Sequence, residues 1–146
     1  MTDSPPLVYS DALLRRILAH TRTIAMVGAS SKSNRPSHMV MEYLQAKGYR
    51  VIPVNPAAAG QEILGETVRA SLAEIAEPVD MVDVFRHSDQ VGAVADEAVA
   101  IGAKVLWTQL GVRNDEAAAR AEAAGLTVVM DRCPKIECDR LGVEPE

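Results

Sequence analysis

Two patterns of apolar and polar residues alternate along this chain, one typical of β-strands and one typical of α-helices. Five segments are apolar and rich in β-branched residues, as strands are. They cover residues 23–27, 50–54, 79–85, 104–107 and 126–130. Between them, apolar residues recur at helical spacing over 37–47, 88–101 and 114–124, with a shorter stretch at 71–76. Strands that alternate with helices imply right-handed βαβ crossovers and a parallel sheet covered on both faces.

The segment before the first strand also has a helical pattern. Residues 9–20 carry four apolar side chains at the spacing of one helix face, which predicts an extra N-terminal helix. Residues 57–65 are polar and contain glycine, so we expect little regular structure there. The predicted fold class is therefore α/β: a single Rossmann-like, doubly wound, five-stranded parallel sheet with an extra N-terminal helix. We expect one domain over residues 1–146, with its core roughly in 23–138.

Composition and charge narrow the range of partners. The 146 residues are 48% hydrophobic and carry a formal net charge of -5, so the molecule as a whole repels nucleic acid and anionic membranes. No apolar run approaches the roughly 20 residues that cross a bilayer, and the N-terminus lacks a basic and then apolar signal pattern. We therefore expect a cytoplasmic protein with no nucleic-acid or membrane partner. Its two cysteines, Cys133 and Cys138, are expected to be reduced.

The loop after the first predicted strand has the composition of an anion site. Gly28 allows a tight turn at the strand end, and the next helix directs its free N–H groups and positive dipole end at the loop. Lys32 and Arg35 add positive charge that contrasts with the acidic whole. The candidate binding residues here are Gly28, Ala29, Ser30, Lys32, Arg35 and Ser37.

Ligands of doubly wound sheets bind outside the carboxyl ends of the strands, so the residues that follow the other strands are further candidates. They are Asn55 and Pro56, Phe85 and Arg86, and Gln109 and Gly111. NAD-binding folds usually carry an acidic residue at the end of the second strand and a GxGxxG loop after the first. Here the acidic position holds Asn55 and only the first glycine is present, which disfavours NAD. The P-loop pattern for ATP or GTP is absent as well.

Taken together, five short motifs resemble those of the freestanding CoA-binding domain proteins, which are relatives of the CoA-binding domain of the succinyl-CoA synthetase α subunit. The resemblance spans residues 23–138. The motifs are Val27-Gly28-Ala29-Ser30, Val54-Asn55-Pro56, Val84-Phe85-Arg86, Trp107-Thr108-Gln109-Leu110-Gly111 and Met130-Asp131-Arg132-Cys133.

The resemblance implies coenzyme A as the ligand and a role for each candidate. The loop at 28–37 would hold the phosphates, and Asn55 and Pro56 would line the nucleotide cleft. Phe85 and Arg86 would pack on and pair with the adenosine end. Gln109 and Gly111 would flank the pantetheine arm.

No catalytic set is visible in the sequence. The histidines and carboxylates show neither metal-ligand spacing nor an arrangement for nucleophilic catalysis, so no metal is expected. We expect a protein that binds coenzyme A or an acyl-CoA without catalysis of its own. The alternatives are the CoA-binding component of a multi-chain acyl-CoA enzyme and an NAD-type redox domain. A protein partner or a homodimer stays open, and Cys133 is either an inert buried thiol or a partner for a ligand thiol.

Overall fold

The computed structural model describes residues 5–146, which form five α-helices and seven strands. The helices are α1 (Asp11–His20), α2 (Pro36–Lys47), α3 (Val91–Ala100), α4 (Asp115–Ala123) and α5 (Pro134–Leu141). The strands are β1 (Thr23–Val27), β2 (Arg50–Val54), β3 (Glu62–Ile63), β4 (Glu66–Thr67), β5 (Met81–Val84), β6 (Val105–Thr108) and β7 (Thr127–Val129). No helix among these residues is long and apolar enough to span a membrane.

Five of the strands form one parallel sheet in the order β2-β1-β5-β6-β7. The chain starts in β1, moves outward to β2, and then returns to the other side of β1 to form β5. The direction of winding therefore reverses between β1 and β5, which is the topological switch point where ligands of such sheets bind. This sheet confirms the predicted doubly wound α/β fold, and the extra N-terminal helix is α1.

Alternate residues of each central strand pack into two separate cores, one on each face of the sheet. Ala25 and Val82 belong to the core that α3 and α4 cover. Ile24 and Met81 belong to the core that α1, α2 and α5 cover. Because both faces are buried, the strands read as nearly continuous apolar runs rather than as strict alternation.

The structure differs from the predicted elements at several strand and helix ends and in four other places. The short helical stretch at 71–76 is a 3₁₀ turn over Leu72–Glu74. The segment at 57–65, expected to be irregular, includes β3 of the short antiparallel β3–β4 hairpin. Ser88, at the predicted start of a long helix, begins a short 3₁₀ turn before α3, and its hydroxyl instead accepts a hydrogen bond from the N–H of Arg113. Helix α5 was not predicted, because it has only eight residues and its Ile136 side chain is about half exposed. Such a short helix shows no full apolar stripe.

Candidate functional site

A cleft lies at the carboxyl ends of β1, β5 and β6, beside the switch point. We call it the main cleft, and its volume is about 720 Å³. It is lined by Gly28, Ser30, Lys32, Arg35, Pro36, Ser37, Phe85, Arg86, His87, Gln90, Gln109, Leu110 and Val112. Eight of the twelve candidates from the sequence are among these residues, drawn from three loops that are far apart in the chain.

A second cavity of about 570 Å³, here called the side cavity, lies between the ends of β1 and β2 and helix α3. Its walls are mainly apolar, with carboxylates at one side. It is lined by Val27, Val54, Pro56, Ala70, Ser71, Leu72, Arg86, Asp89, Gln90, Ala93, Val94 and Glu97. Arg86 and Gln90 line both spaces, so the two cavities adjoin at these side chains.

Gly28 follows β1 and lies directly against the backbone that follows β5, at the main cleft. Its φ of 91° is in the left-handed region, and a Cβ atom at this position would lie 2.2 Å from the carbonyl oxygen of Phe85. Its N–H also donates a 2.8 Å hydrogen bond to the carbonyl of Val54. Only glycine fits between the strand ends here, because the obstacle is backbone and cannot rotate away.

The main cleft is electropositive. Lys32, Arg35 and Arg86 line it together with His87, and no acidic side chain of residues 5–146 is among its lining residues. Within residues 5–146, none of the three cationic side chains forms an ion pair. Unpaired cations grouped around a concave surface, on a molecule with net negative charge, are typical of a site for a small anion.

Helix α2 strengthens this positive field. Its first residues, Pro36 and Ser37, line the main cleft, and its first turn contains no acidic residue. The residue before the helix, Arg35, makes no side-chain hydrogen bond to the helix N–H groups. The positive end of the helix dipole is therefore not neutralised by a protein group, and it favours a phosphate in the cleft.

Asn55 was expected to line the cleft wall, but the structure places its side chain elsewhere. Its Nδ2 donates to the carbonyl of Ala29 at 2.9 Å, and its Oδ1 accepts from the N–H of Ala57 at 3.0 Å. Asn55 therefore ties the end of β2 to the loop after β1, and it lines neither cavity. Ala29 is buried in the core, whereas Pro56 lines the side cavity.

The loop between β6 and α4 forms one wall of the main cleft, and the hydrogen bonds that hold it include one from Thr108 and one from Gly111. The hydroxyl of Thr108 donates to the carbonyl of Val112 at 2.6 Å. The N–H of Gly111 donates to a carboxylate oxygen of Asp131 at 2.7 Å, and the backbone of Asp131 has a left-handed φ of 58°. Gly111 does not line the cleft, so its observed role is to fix the loop that presents Gln109.

Sequence reasoning missed the helix α3 side of the site. Gln90, Ala93, Val94 and Glu97 face the cavities from the start of α3 and the turn before it. Their spacing of three and four residues is that of one helix face. In the chain, this helix comes soon after Arg86 and the strand at the switch point. Its periodicity was therefore a sequence signal that could have identified these cavity residues.

Several buried polar groups lie outside both cavities. Both carboxylate oxygens of Asp83 lack a hydrogen-bond partner among the described residues, and burial raises the pKa of this carboxyl well above its usual range. Burial likewise raises the pKa of the Cys138 thiol. Cys133 is 4% exposed within the core and lines neither cavity, which favours the inert thiol over a partner for a ligand thiol.

Known proteins resemble this chain over most of its length. The family model described as CoA binding domain matches residues 22–139. The uncharacterized protein YneT of Bacillus subtilis is 43% identical over 127 residues, which cover 87% of this chain and 93% of that protein. The structure of a hypothetical protein from Pyrococcus horikoshii superposes with a TM-score of 0.89 at 37% identity, covering 97% of this chain and 99% of that one.

A more distant likeness concerns the fold alone. A dinucleotide-forming acetyl-coenzyme A synthetase from Ca. Korarchaeum cryptofilum matches with a TM-score of 0.66 at 24% identity. The match covers 79% of this chain but only 27% of the synthetase chain. The fold described here thus also occurs as one part of a much larger protein.

Proposed function

Because the chain belongs to the CoA-binding domain family, we propose that it binds coenzyme A or an acyl-CoA in the main cleft and the side cavity, without catalysis of its own. Family membership confirms the resemblance that the five sequence motifs indicated. It supports binding of coenzyme A in general.

The observation that carries the proposal is the group of unpaired cations beside the N-terminus of α2. Coenzyme A presents a pyrophosphate and a 3′-phosphate, and each needs positive charge or N–H donors. Lys32 and Arg35 are on the loop next to the helix start, and Arg86 lies where the two cavities adjoin. This arrangement supports the assignment of the pyrophosphate to the first loop and of the adenosine end to the vicinity of Arg86.

The two cavities differ in a way that suits the two ends of the ligand. The side cavity has mainly apolar walls, including Val54, Leu72 and Val94, against which a flat base can pack. The main cleft continues past the cations to the wall formed by Gln109 and Leu110. We therefore place the adenosine in the side cavity and the pantetheine arm along the loop after β6.

The groups that line the main cleft support binding without catalysis. A general acid or base must reach the reacting atoms, and among the described residues His87 is the one imidazole that lines the main cleft. The carboxylates Asp89 and Glu97 lie in the side cavity, which we assign to the adenosine. Incubation with acetyl-CoA should therefore release free thiol no faster than buffer does; faster release would favour the alternative of an acyl-CoA enzyme component.

Calorimetric titration of the ligand-free protein tests the proposal. We expect coenzyme A to bind with micromolar or tighter affinity, and NAD and ATP to bind far more weakly. Preferential binding of NAD would overturn the proposal and establish the dinucleotide alternative. Acetyl-CoA, titrated in parallel, shows whether a thioester binds as well as the free thiol.

A single variant sharpens this experiment at the adenosine end. If Arg86 pairs with the 3′-phosphate, Arg86→Ala should weaken coenzyme A about tenfold or more and leave dephospho-coenzyme A nearly unchanged. Equal weakening of both ligands would assign Arg86 to the pyrophosphate instead. Arg16→Ala is a matched control, because Arg16 is an exposed arginine on α1 and lines neither cavity.

A further inference from the structure

Two buried side chains on neighbouring strands have oxygens without hydrogen-bond partners. Asp83 on β5 is fully buried, and neither of its carboxylate oxygens has a partner among residues 5–146. Gln109, directly after β6, is only 9% exposed, and its Oε1 is buried and unpaired within the same part of the chain. A buried polar atom without a partner costs free energy, so one hydrogen bond between the two residues would stabilise the fold.

The register of β5 and β6 places these two side chains on the same face of the sheet. Asp83 pairs with Trp107, and the N–H of Gln109 donates to the carbonyl of Val84 at 3.1 Å, which continues the ladder past the end of β6. Because side chains alternate along a strand, residues 83, 107 and 109 all leave the sheet on the side of Trp107, which α1, α2 and α5 cover. Gln109 is thus the diagonal neighbour of Asp83, and a side chain as long as glutamine's can reach such a neighbour.

The elements packed around Asp83 bring no charge to bear on its carboxyl. Its strand neighbours are Met26 and Trp107, and no buried residue of α1 or α2 is titratable. The buried or partly buried titratable residues described on this side of the sheet are Tyr9, Tyr43, Tyr49, Cys133, Glu137 and Cys138. The charge of Glu137 is paired with Arg140 at 2.7 Å. Burial, with no contribution from a neighbouring charge, raises the pKa of the Asp83 carboxyl.

A neutral carboxyl group complements the amide oxygen of Gln109, whereas an ionised one does not. A carboxylate only accepts hydrogen bonds, and so does Oε1, so the ionised form of Asp83 cannot pair with it. The neutral acid has one O–H, which can donate to the amide oxygen.

We propose that the neutral side chain of Asp83 donates a hydrogen bond to Oε1 of Gln109 and so positions the wall of the main cleft that the loop after β6 forms. When Asp83 loses its proton, two acceptors face each other, and the wall loosens. Asp83 is therefore a positioning residue that makes the cleft sensitive to pH. The hydrogen bond does not depend on any ligand, but its effect on coenzyme A rests on the proposed function.

Carbon-13 NMR of the ligand-free protein tests the hydrogen bond. As the pH is varied, the side-chain carbonyl carbon of Gln109 should titrate with the same midpoint as the carboxyl carbon of Asp83. In Gln109→Met, which has nearly the same shape and no amide, the pKa of Asp83 should be lower by about 1, because the neutral form loses its acceptor. Gln61→Met makes the same change at an exposed position outside both cavities and should leave that pKa unchanged.

Two results of this NMR experiment would overturn the proposal. One is an Asp83 pKa that is the same in Gln109→Met as in wild type. The other is a Gln109 carbon that does not follow Asp83, and this result needs only the wild-type protein, so it decides even if Gln109→Met does not fold.

Calorimetry over a range of pH tests the effect on the cleft. Asp83→Asn keeps a donor at every pH, because its side-chain N–H replaces the O–H of the acid. As the pH rises through the folded-state pKa of Asp83, the affinity of wild type for coenzyme A should fall several-fold relative to that of Asp83→Asn. Titration of the ligand itself cancels in this comparison. A constant ratio would show that Asp83 does not position the wall. If wild type binds no coenzyme A at any pH, the proposed function fails, and the NMR result still decides the hydrogen bond.

Discussion

At the scale of single residues, the floor of the main cleft depends on the absence of one side chain. Gly28 combines a left-handed backbone with a position directly against the carbonyl of Phe85. Gly125 has a similar φ of 100° but no atom within 4 Å of the place where its Cβ would be. The pair therefore separates two effects of substitution, backbone strain alone and strain combined with a steric clash.

We expect Gly28→Ala to destabilise the fold by about 3 kcal/mol and Gly125→Ala by about 1 kcal/mol, because the second variant has only the left-handed strain. Urea denaturation measures both. Gly28→Ala should also lose affinity for coenzyme A, since the ends of β1 and β5 must separate to accommodate the methyl group. Equal destabilisation by the two substitutions would show that the approach of Gly28 to Phe85 is looser than described.

At the scale of elements, the candidate site depends on how the loop after β1 is held by the end of β2. Asn55 bridges the two through its hydrogen bond to the carbonyl of Ala29, while the backbone of Gly28 bonds to Val54. The cations of the loop are thus positioned by a neighbouring strand and not by the loop alone. Asn55 contributes to the cleft without lining it.

Asn55→Asp tests this role and the NAD alternative together. An aspartate keeps the acceptor for the N–H of Ala57 but places a carboxylate oxygen opposite the carbonyl of Ala29. We expect a loss of about 1 kcal/mol in the free energy of unfolding and several-fold weaker binding of coenzyme A. No NAD binding should appear, because the side chain is turned away from the cavities. NAD binding by this variant, seen by calorimetry, would contradict that orientation.

At the scale of the whole molecule, two aspartates in or near β5 make the free energy of unfolding depend on pH in opposite directions. Asp83 is buried, its carboxylate has no hydrogen-bond partner among residues 5–146, and desolvation raises its folded-state pKa. Burial also acts on Asp80, but the N–H groups of Thr23 and Arg22 and the nearby Lys104 outweigh it and lower the pKa of that carboxyl. Folding therefore favours the neutral form of Asp83 and the ionised form of Asp80.

Denaturation of wild type and of Asp83→Asn, from neutral to acidic pH, measures how Asp83 affects the free energy of unfolding. Above the unfolded pKa of aspartate, the raised folded-state pKa means that the wild-type carboxyl lowers the free energy of unfolding, so at neutral pH the variant should be the more stable protein. As the pH falls towards the unfolded pKa of aspartate, wild type should regain this stability and the difference should shrink. A difference that is independent of pH would show that Asp83 has no raised pKa.

Asp80→Asn is the matched control, because this substitution should change the free energy of unfolding in the opposite direction. Its wild-type carboxylate stabilises the fold above the unfolded pKa, and this contribution is lost as the pH falls through the lowered folded pKa. The variant should thus be less stable than wild type at neutral pH, with a difference that disappears in strong acid.

The sequence by itself was enough to predict the sheet and much of the site. The spacing of apolar residues shows whether a segment buries one face or two. The strands β1 and β2 therefore have their predicted bounds, and the α-helices between the sheet strands differ from their predicted ranges mainly at the ends. The position of Gly28 before a helix start and the cations that follow it were also visible, because a strand, a tight turn and a helix are adjacent in the chain. The motifs around these residues indicated the family.

Other features depended on segments that meet only in the folded chain. Strand order and side-chain direction bring Asn55 to Ala29 and make the start of α3 form a cavity with β2. They also bury the Oε1 of Gln109 without a hydrogen-bond partner among the described residues. Local spacing cannot specify such contacts, since it records which side of an element is buried but not which distant element covers it. The sequence therefore determined the elements and the kind of site, and the tertiary structure decided which side chains bind a ligand and which hold the others in place.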